Sequence, residues 1–330
     1  MTTYNRRDFL KKAARLSLLT PAMLCPSFSF AQSTAIKPAG STVVITRDPG
    51  VHIRPHEVSK KIIRQMIDRG ITRLTGVPDI TRAWLTVCSP GETVGIKVNA
   101  MGGRSICTHM EVAYAVAESL ANAGINPRQI IIWDRITDEL ERGGYIINRG
   151  NDGIRCFGTD GSYENEPEVS GSIGSCFSTL LSRQCDCLIS IPVLKDHDLS
   201  GVSLNLKNFY GAIHNPNKYH DNNCDPYIAD LNAHPFIKSK LRLVVCDGLM
   251  ALYNGGPGYK PQWAWPYSGL LLSRDPVAID RVGWMIIDEQ RKACRLPSLE
   301  EAGRSPKHIL SAAQRGLGTA DMNRIHKIAV

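Results

Sequence analysis

Lysine, histidine, aspartate and asparagine recur in this chain at the ends of short apolar runs. Val94-Gly95-Ile96 leads into Lys97-Val98-Asn99, and Ile130-Ile131-Ile132-Trp133 into Asp134. Leu188-Ile189-Ser190-Ile191-Pro192-Val193-Leu194 leads into Lys195-Asp196-His197-Asp198, and Val244-Val245-Cys246 into Asp247-Gly248. In a strand alternate residues share a side, so Lys97 goes with Asn99 and Lys195 with His197. An imidazole titrates near neutrality and suits a general acid or base. The lysines suit an anion, and Asp247, with Asp134 or Asp280, suits a divalent metal or the orientation of a base. The candidate catalytic groups are therefore Lys195, His197 and Asp247. Each aspartate also has a plainer reading: Asp275 as a helix cap, Asp134 as a loop cap, and Asp247 as the start of a turn.

A second polar cluster lies between Gly201 and Gly211. On a helical turn Asn205 and Asn208 share a face, with Lys207 between them. Together with Lys97 and Asn99, the residues Asn205, Lys207 and Asn208 are the candidate substrate-binding groups. Amides and ammonium groups on one face suit a carboxylate or phosphate, or else a buried polar network. Further on, His214, His220, Cys224, Asp225, Asp230 and His234 are of metal-ligand type, but their spacing matches no compact zinc pattern. A divalent metal stays open as a cofactor.

These groups need elements to hold them. Strand-like runs at 42–46, 93–98, 129–134, 154–157, 187–194, 241–247 and 269–273 alternate with helical patterns at 56–69, 108–123 and 276–292. The last opens on Asp275 and Pro276, a strong helix start. Such alternation predicts an α/β fold, with a mostly parallel or mixed sheet flanked by helices. Residues 143–175, rich in Gly, Ser and Glu, predict an irregular insertion. In open α/β sheets ligands bind outside the carboxyl ends of the strands, which is where the polar groups gather. No Gly-rich fingerprint follows the first strand, so a dinucleotide is not expected.

Ahead of this body stands Asn5-Arg6-Arg7-Asp8-Phe9-Leu10-Lys11, then a moderately apolar stretch, then Ser29 and Ala31. This order predicts a twin-arginine signal peptide over residues 1–31 and a single domain over 32–330. The expected partner is the twin-arginine translocase, and the expected location is the periplasm or another exported site. Pro21, Pro26 and Arg15 leave too short an apolar run for a stable span. Removing the leader's five basic residues and one acid from 39 and 31 leaves 34 and 30, a net charge of +4. With no Lys/Arg run, nucleic-acid binding is not expected. Nine of the ten cysteines lie beyond the leader, an odd number without a C-x-x-C pair. They read first as small buried hydrophobes.

Five segments then stand in a telling order. They are Gly95-Ile96-Lys97-Val98-Asn99; Ile191-Pro192-Val193-Leu194-Lys195-Asp196-His197; Leu204-Asn205-Leu206-Lys207-Asn208-Phe209-Tyr210-Gly211; Val245-Cys246-Asp247-Gly248 with Gly255-Gly256-Pro257; and Ser273-Arg274-Asp275-Pro276-Val277-Ala278-Ile279-Asp280. The set resembles the family called domain of unknown function 362, over residues 43–283. The resemblance implies that many relatives carry twin-arginine leaders and that others are fused to a ferredoxin-like iron–sulfur module. The closely spaced cysteines of that module are absent here, so no iron–sulfur cluster is expected in this chain. The functional expectation is an exported enzyme acting on an anionic small molecule through a Lys/His/Asp site. The alternative is a non-catalytic periplasmic binding or maturation protein serving a redox or metal-cofactor partner.

Overall fold

The computed structural model describes residues 40–54, 57–150 and 152–330. The leader at 1–31, with its translocase signal, lies outside the described residues, as does His56. Residues Ala39–Val330 form one compact unit.

Eleven strands build one mixed sheet: β1 (Ser41–Arg47), β2 (Val94–Val98), β3 (Ile130–Asp134), β4 (Arg155–Gly158), β5 (Cys187–Ile191), β6 (Val193–His197), β7 (Gly201–Ser203), β8 (Leu241–Leu252), β9 (Ala264–Trp265), β10 (Gly269–Ser273) and β11 (Ile325–Ala329). The main path runs β11-β1-β10-β8-β5-β2-β3-β4. Along it β4, β3, β2, β5 and β8 are mutually parallel, and β10 runs against β8 and β1. Strand β8 is long enough to pair with β5 in its first half and with β6 beyond it.

Side-chain alternation sorts each strand onto two faces. Val94, Ile96, Ile130, Ile132, Ile189, Val245 and Leu272 join one core layer; Ile131, Trp133, Leu188, Val244 and Leu271 join the other. The first layer is covered by helices α1 (Lys60–Thr75) and α2 (Met110–Asn122), through Ile63, Met66, Ile67, Val112, Val116 and Leu120. The short helix α3 (Thr137–Arg142) follows β3. The single turn α4 (Asn205–Asn208), α5 (Tyr227–Ala233), α6 (Pro276–Ala293) and α7 (Lys307–Gln314) complete the helices that bear on the site. The second layer is packed by Ile228 and Leu231 of α5, Val277, Val282 and Ile287 of α6, and Ile309 of α7. Each such aliphatic side chain, fully buried, contributes about 1.5–3 kcal/mol before entropy is counted.

The caps behave as the sequence suggests. Asp275 accepts from Val277 N at 2.9 Å and Ala278 N at 2.8 Å at the start of α6. Helix α1 begins at Lys60 rather than at 56 because Ser59 accepts from Ile62 N, and it ends where Gly76 turns to φ 70°. Two boundaries correct the sequence reading, and the strand expected at 154–157 forms inside the segment read as an insertion. The run 187–194 breaks at Pro192, which lacks an N–H for the ladder, into β5 and β6. Lys195 and His197 therefore lie inside a strand, not after one. The run ending at Asp247 continues to Leu252, so Asp247 is mid-strand and starts no turn. Within 143–175, Arg155–Gly158 returns to the main sheet as its edge strand. The rest is irregular apart from a hairpin, Glu168–Ser170 with Ile173–Ser175.

Among the described residues no helix is long and apolar enough to cross a membrane.

Candidate functional site

A cleft of about 360 Å³ opens beyond the carboxyl ends of β2 and β3. Its floor begins with a row across three strands. Register places Trp133, Lys97 and Ser190 side by side on β3, β2 and β5. Because Ile96 and Val98 face α1 and α2, Lys97 must point to the other side of the sheet, toward α4. Its ammonium donates to Asp134 Oδ1 at 2.6 Å, Val98 O at 2.7 Å and Asn208 Oδ1 at 3.2 Å. Asn208 in turn donates to Lys97 O at 3.3 Å and Ser190 Oγ at 3.0 Å. Asp134 also accepts from Ala100 N at 2.6 Å and Arg135 N at 2.8 Å. Both members of the Lys97–Asp134 pair are buried, and the carboxylate answers the ammonium charge directly.

Lys207, on α4, lines the same cleft under different terms. Its ammonium lies 3.1 Å from His220 Nε2, 3.7 Å from Cys224 Sγ and 4.1 Å from the centre of the Tyr210 ring. His220 Nδ1 faces Pro216 O at 3.1 Å, which makes Nδ1 the donor and leaves Nε2 to accept from Lys207. None of these partners is an anion, and among the described residues no carboxylate pairs with Lys207. Burial pushes the Lys207 amine down to about 8, offset in part by the Cys224 thiol and then by the Asp198 carboxylate of the same cleft, which makes no ion pair with it.

His197 stands beside this group, its ring stacked on His220 with centroids 6.0 Å apart. Its Nδ1 accepts from Leu199 N at 3.1 Å and Ser200 N at 3.4 Å. The Asp198 carboxylate lies 3.0 Å from the same nitrogen but is largely in water. Burial, then Lys207, His220, Lys195 and His308, hold His197 down to about 2. A ring so placed is neutral, and with Nδ1 accepting two backbone N–H groups its proton belongs on Nε2, which makes it a poor fit for the general base its type suggests.

Asn99, Arg135, Glu139, Asp198, Ser203 and Asn217 add to the polar lining, together with Gly211 and Tyr210. Burial, and then the nearby Asp134 charge, raise the Glu139 carboxyl above the ordinary glutamate range. This gives the cleft a group able to hold and release a proton. Gly211 has a steric reason: a Cβ there would lie 2.8 Å from Asp134 Oδ1 and 2.9 Å from Lys97 Nζ.

The structure thus brings together Lys97, Asn99, His197, Lys207 and Asn208 of the sequence candidates and leaves three outside. Lys195 is fully buried behind the cleft. It donates to Asn99 Oδ1 at 2.9 Å, Met101 O at 3.1 Å and Ile106 O at 3.4 Å, fixing the loop after β2. Burial lowers its amine to about 8. Asn205 shares no working face with Asn208: its side chain is fully buried, and both polar atoms lack protein partners. Its backbone N–H and that of Leu206 donate to Asp280 at 2.9 Å and 2.8 Å, so Asp280 caps α4 from α6 instead of joining the cleft.

Asp247 lies on the other side of the sheet. Val245 faces α1 and α2, so by alternation Asp247 does too. There its Oδ2 accepts from His109 N at 2.7 Å and meets His109 Nδ1 at 2.8 Å, while Oδ1 accepts from Leu249 N at 3.0 Å. The imidazole that Asp247 holds is therefore His109, not His197. Burial lowers the His109 ring, but the Asp247 charge and hydrogen bond outweigh it and raise the ring above its ordinary value. His109 borders a second cavity of about 300 Å³, with His52, Arg104, Cys107 and Glu111.

Sequence reasoning missed His109, Arg135 and Glu139. Arg135 adjoins a strand-end aspartate and was within reach; nothing local marks the other two. Of the metal-type residues downstream, His220 and Cys224 meet at Lys207, and three others disperse. Asp230 binds Arg315, His234 stacks on Phe177, and His214 meets Ser175 at 3.2 Å. Among the described residues no three His, Cys, Asp or Glu side chains group as a metal site.

Residues 94–285, from β2 through most of α6, match the model of the domain of unknown function DUF362. The chain belongs to the DUF362 family. The match spans every cleft residue described above. Among curated proteins none matches. A crystal structure of a Thermotoga maritima protein is similar at 11% identity and a TM-score of 0.39. That likeness covers 63% of this DUF362 chain and 54% of the other, about half its length.

Proposed function

We propose that the cleft binds a small anionic molecule and performs proton-transfer chemistry on it. The observation that carries this reading is Lys207: an ammonium taken largely out of water, among neutral partners, beside an open cleft. A buried charge without a directly paired counter-ion is costly, the nearby Asp198 carboxylate is largely in water, and an anionic ligand in the cleft would supply a direct partner. Arg135 adds a second cation, Asn99 and Asn208 add amides, and His197 offers an Nε2–H donor. Lys207 and His220 form a proton-sharing pair, and Glu139 is the candidate acid. Lys195, a candidate catalytic group by sequence, enters this proposal only as a positioning residue through Asn99, and Asp247, on the other face of the sheet, does not enter it. A divalent metal has no place in this reading of the cleft.

The test is calorimetry on the full chain with a panel of small mono- and dicarboxylates and phosphate esters. Lys207→Ala is expected to weaken the best binder by tenfold or more while leaving the fold intact by circular dichroism. Unchanged affinity in that variant sinks the reading. Binding without turnover, in Glu139→Gln and parent alike, favours the non-catalytic binding protein instead.

We also propose export by the twin-arginine route, supported by Arg6-Arg7 and the Phe9-Leu10-Lys11 that follows. Lys replacing both arginines should leave the uncleaved chain in the cytoplasm on cell fractionation. Export undiminished by that change argues against the route.

A further inference from the structure

Nine cysteines lie in the described chain, and two of them meet. Cys88 follows the short helix Ile80–Leu85, and Cys187 is the first residue of β5. Their Sγ atoms are 2.9 Å apart. Non-bonded carbon atoms rest at roughly 3.5–4.0 Å, and sulfur is the larger atom, so this pair is already inside ordinary contact. A disulfide needs about 2.0 Å, a small further approach of two side chains. Cys88 and Cys187 are 1% and 0% exposed and sit in the core layer under α1 and α2. No other cysteine pair among the described residues makes such a sulfur–sulfur contact.

We propose that Cys88 and Cys187 are the disulfide-forming pair of this protein. In the reaction each thiol gives up one proton and one electron, the S–S bond forms, and a disulfide-bearing oxidant of the glutathione class is cleaved to two thiols. The bond closes a loop across 99 positions. That loop holds β2, α2, β3, α3 and β4, and with them Lys97, Asn99, Asp134, Arg135 and Glu139, one wall of the cleft. The staple acts by removing freedom from the unfolded chain.

Timing follows from the surroundings. The Cys88–Cys187 hydrogen bond and then burial raise the Cys88 thiol, so little thiolate is available for exchange in the folded chain. Oxidation belongs to the folding chain or to local opening. A chain folded in a reducing compartment carries the dithiol; one folded beside an oxidant carries the bond.

The full chain is unfolded in guanidinium, refolded in glutathione redox buffer, blocked with N-ethylmaleimide and digested for mass spectrometry. The expected result is a linked peptide pair joining Cys88 to Cys187, absent in Cys187→Ser. A folded product in which both residues are alkylated, or joined to other cysteines, overturns the proposal. A second measurement avoids refolding: the natively purified chain is incubated with oxidised glutathione in sub-denaturing urea and mapped in the same way, with the same two readings. Reduction should then lower the melting midpoint of the linked protein by on the order of 5–10 °C, and leave Cys187→Ser unmoved. No such difference overturns the staple.

Discussion

Lys97 and Lys207 both carry an ammonium into the protein, and each answers it differently. Lys97 has a carboxylate at 2.6 Å, which also holds two backbone N–H groups. Removing the lysine alone leaves that charge buried and unpaired. Lys97→Met is therefore expected to cost about 3–5 kcal/mol in chemical denaturation. Lys97→Met with Asp134→Asn should cost less than the single change, because the amide keeps an acceptor oxygen without the charge. A double variant worse than the single one would refute this account. Lys207 touches only His220, Cys224 and Tyr210, with the Asp198 carboxylate out of ion-pair contact, and should reveal itself through pH. Its amine loses its proton as pH rises through about 8, so affinity for an anion should fall above that point. The fall approaches tenfold per unit at high pH. A flat profile between pH 7 and 10 contradicts the assignment. Stability has the opposite sign: between about 8 and the ordinary lysine value the folded chain binds fewer protons, so this residue's contribution rises with pH.

At the scale of elements, the cleft exists because three things meet: the ends of β2 and β3, the turn α4, and the glycine after it. The 3-10 turn Phe209–Ala212 brings Gly211 over the Lys97–Asp134 pair. A methyl group there must push aside Asp134 or Lys97. Gly211→Ala should weaken ligand binding by tenfold or more with only a modest loss of melting temperature, since nothing in the core is removed. Equal affinity in the two proteins would show that the pair does not border the bound molecule. The break at Pro192 has a comparable effect. It lets β6 leave β5 for the far half of β8, carrying His197 toward His220 and Lys195 beneath the loop after β2.

For the whole molecule, the buried imidazoles set the response to acid. Burial, followed by Lys207 in both cases, depresses His197 to about 2 and His308 to about 3. In the unfolded chain both take up protons near pH 6.5, the ordinary value. The unfolded state thus binds more protons between about 6.5 and those low folded values, and stability is lost as pH is lowered through that window. Acid unfolding should begin at mildly acidic pH and be less steep in His308→Leu, as measured by denaturant midpoints at pH 7, 6 and 5. Parallel curves for the two proteins would place the acid sensitivity elsewhere.

Much of this was legible in the residues alone. Apolar runs of strand length, the Asp275-Pro276 helix start, and polar groups at the run ends determine an α/β protein with polar groups gathered at its strand ends. These are local signals, carried by residues adjacent in sequence. Short elements such as β7, β9 and β11 escaped notice, because their pairing comes from distant partners rather than from their own composition. The site divided for a similar reason. Sequence order places Lys97, Lys195, His197 and Asp247 at strand ends alike, yet a strand has two faces, and which face a residue takes depends on what packs against each. Alternation with Ile96 sends Lys97 toward α4, while alternation with Val245 sends Asp247 to His109 on the opposite side. The sequence by itself determined which groups were available. Only the tertiary structure decided that Lys97 has a directly paired carboxylate and that, among the described residues, Lys207 has none in ion-pair contact, because a partner 37 residues away in one case and neutral neighbours in the other are facts about packing.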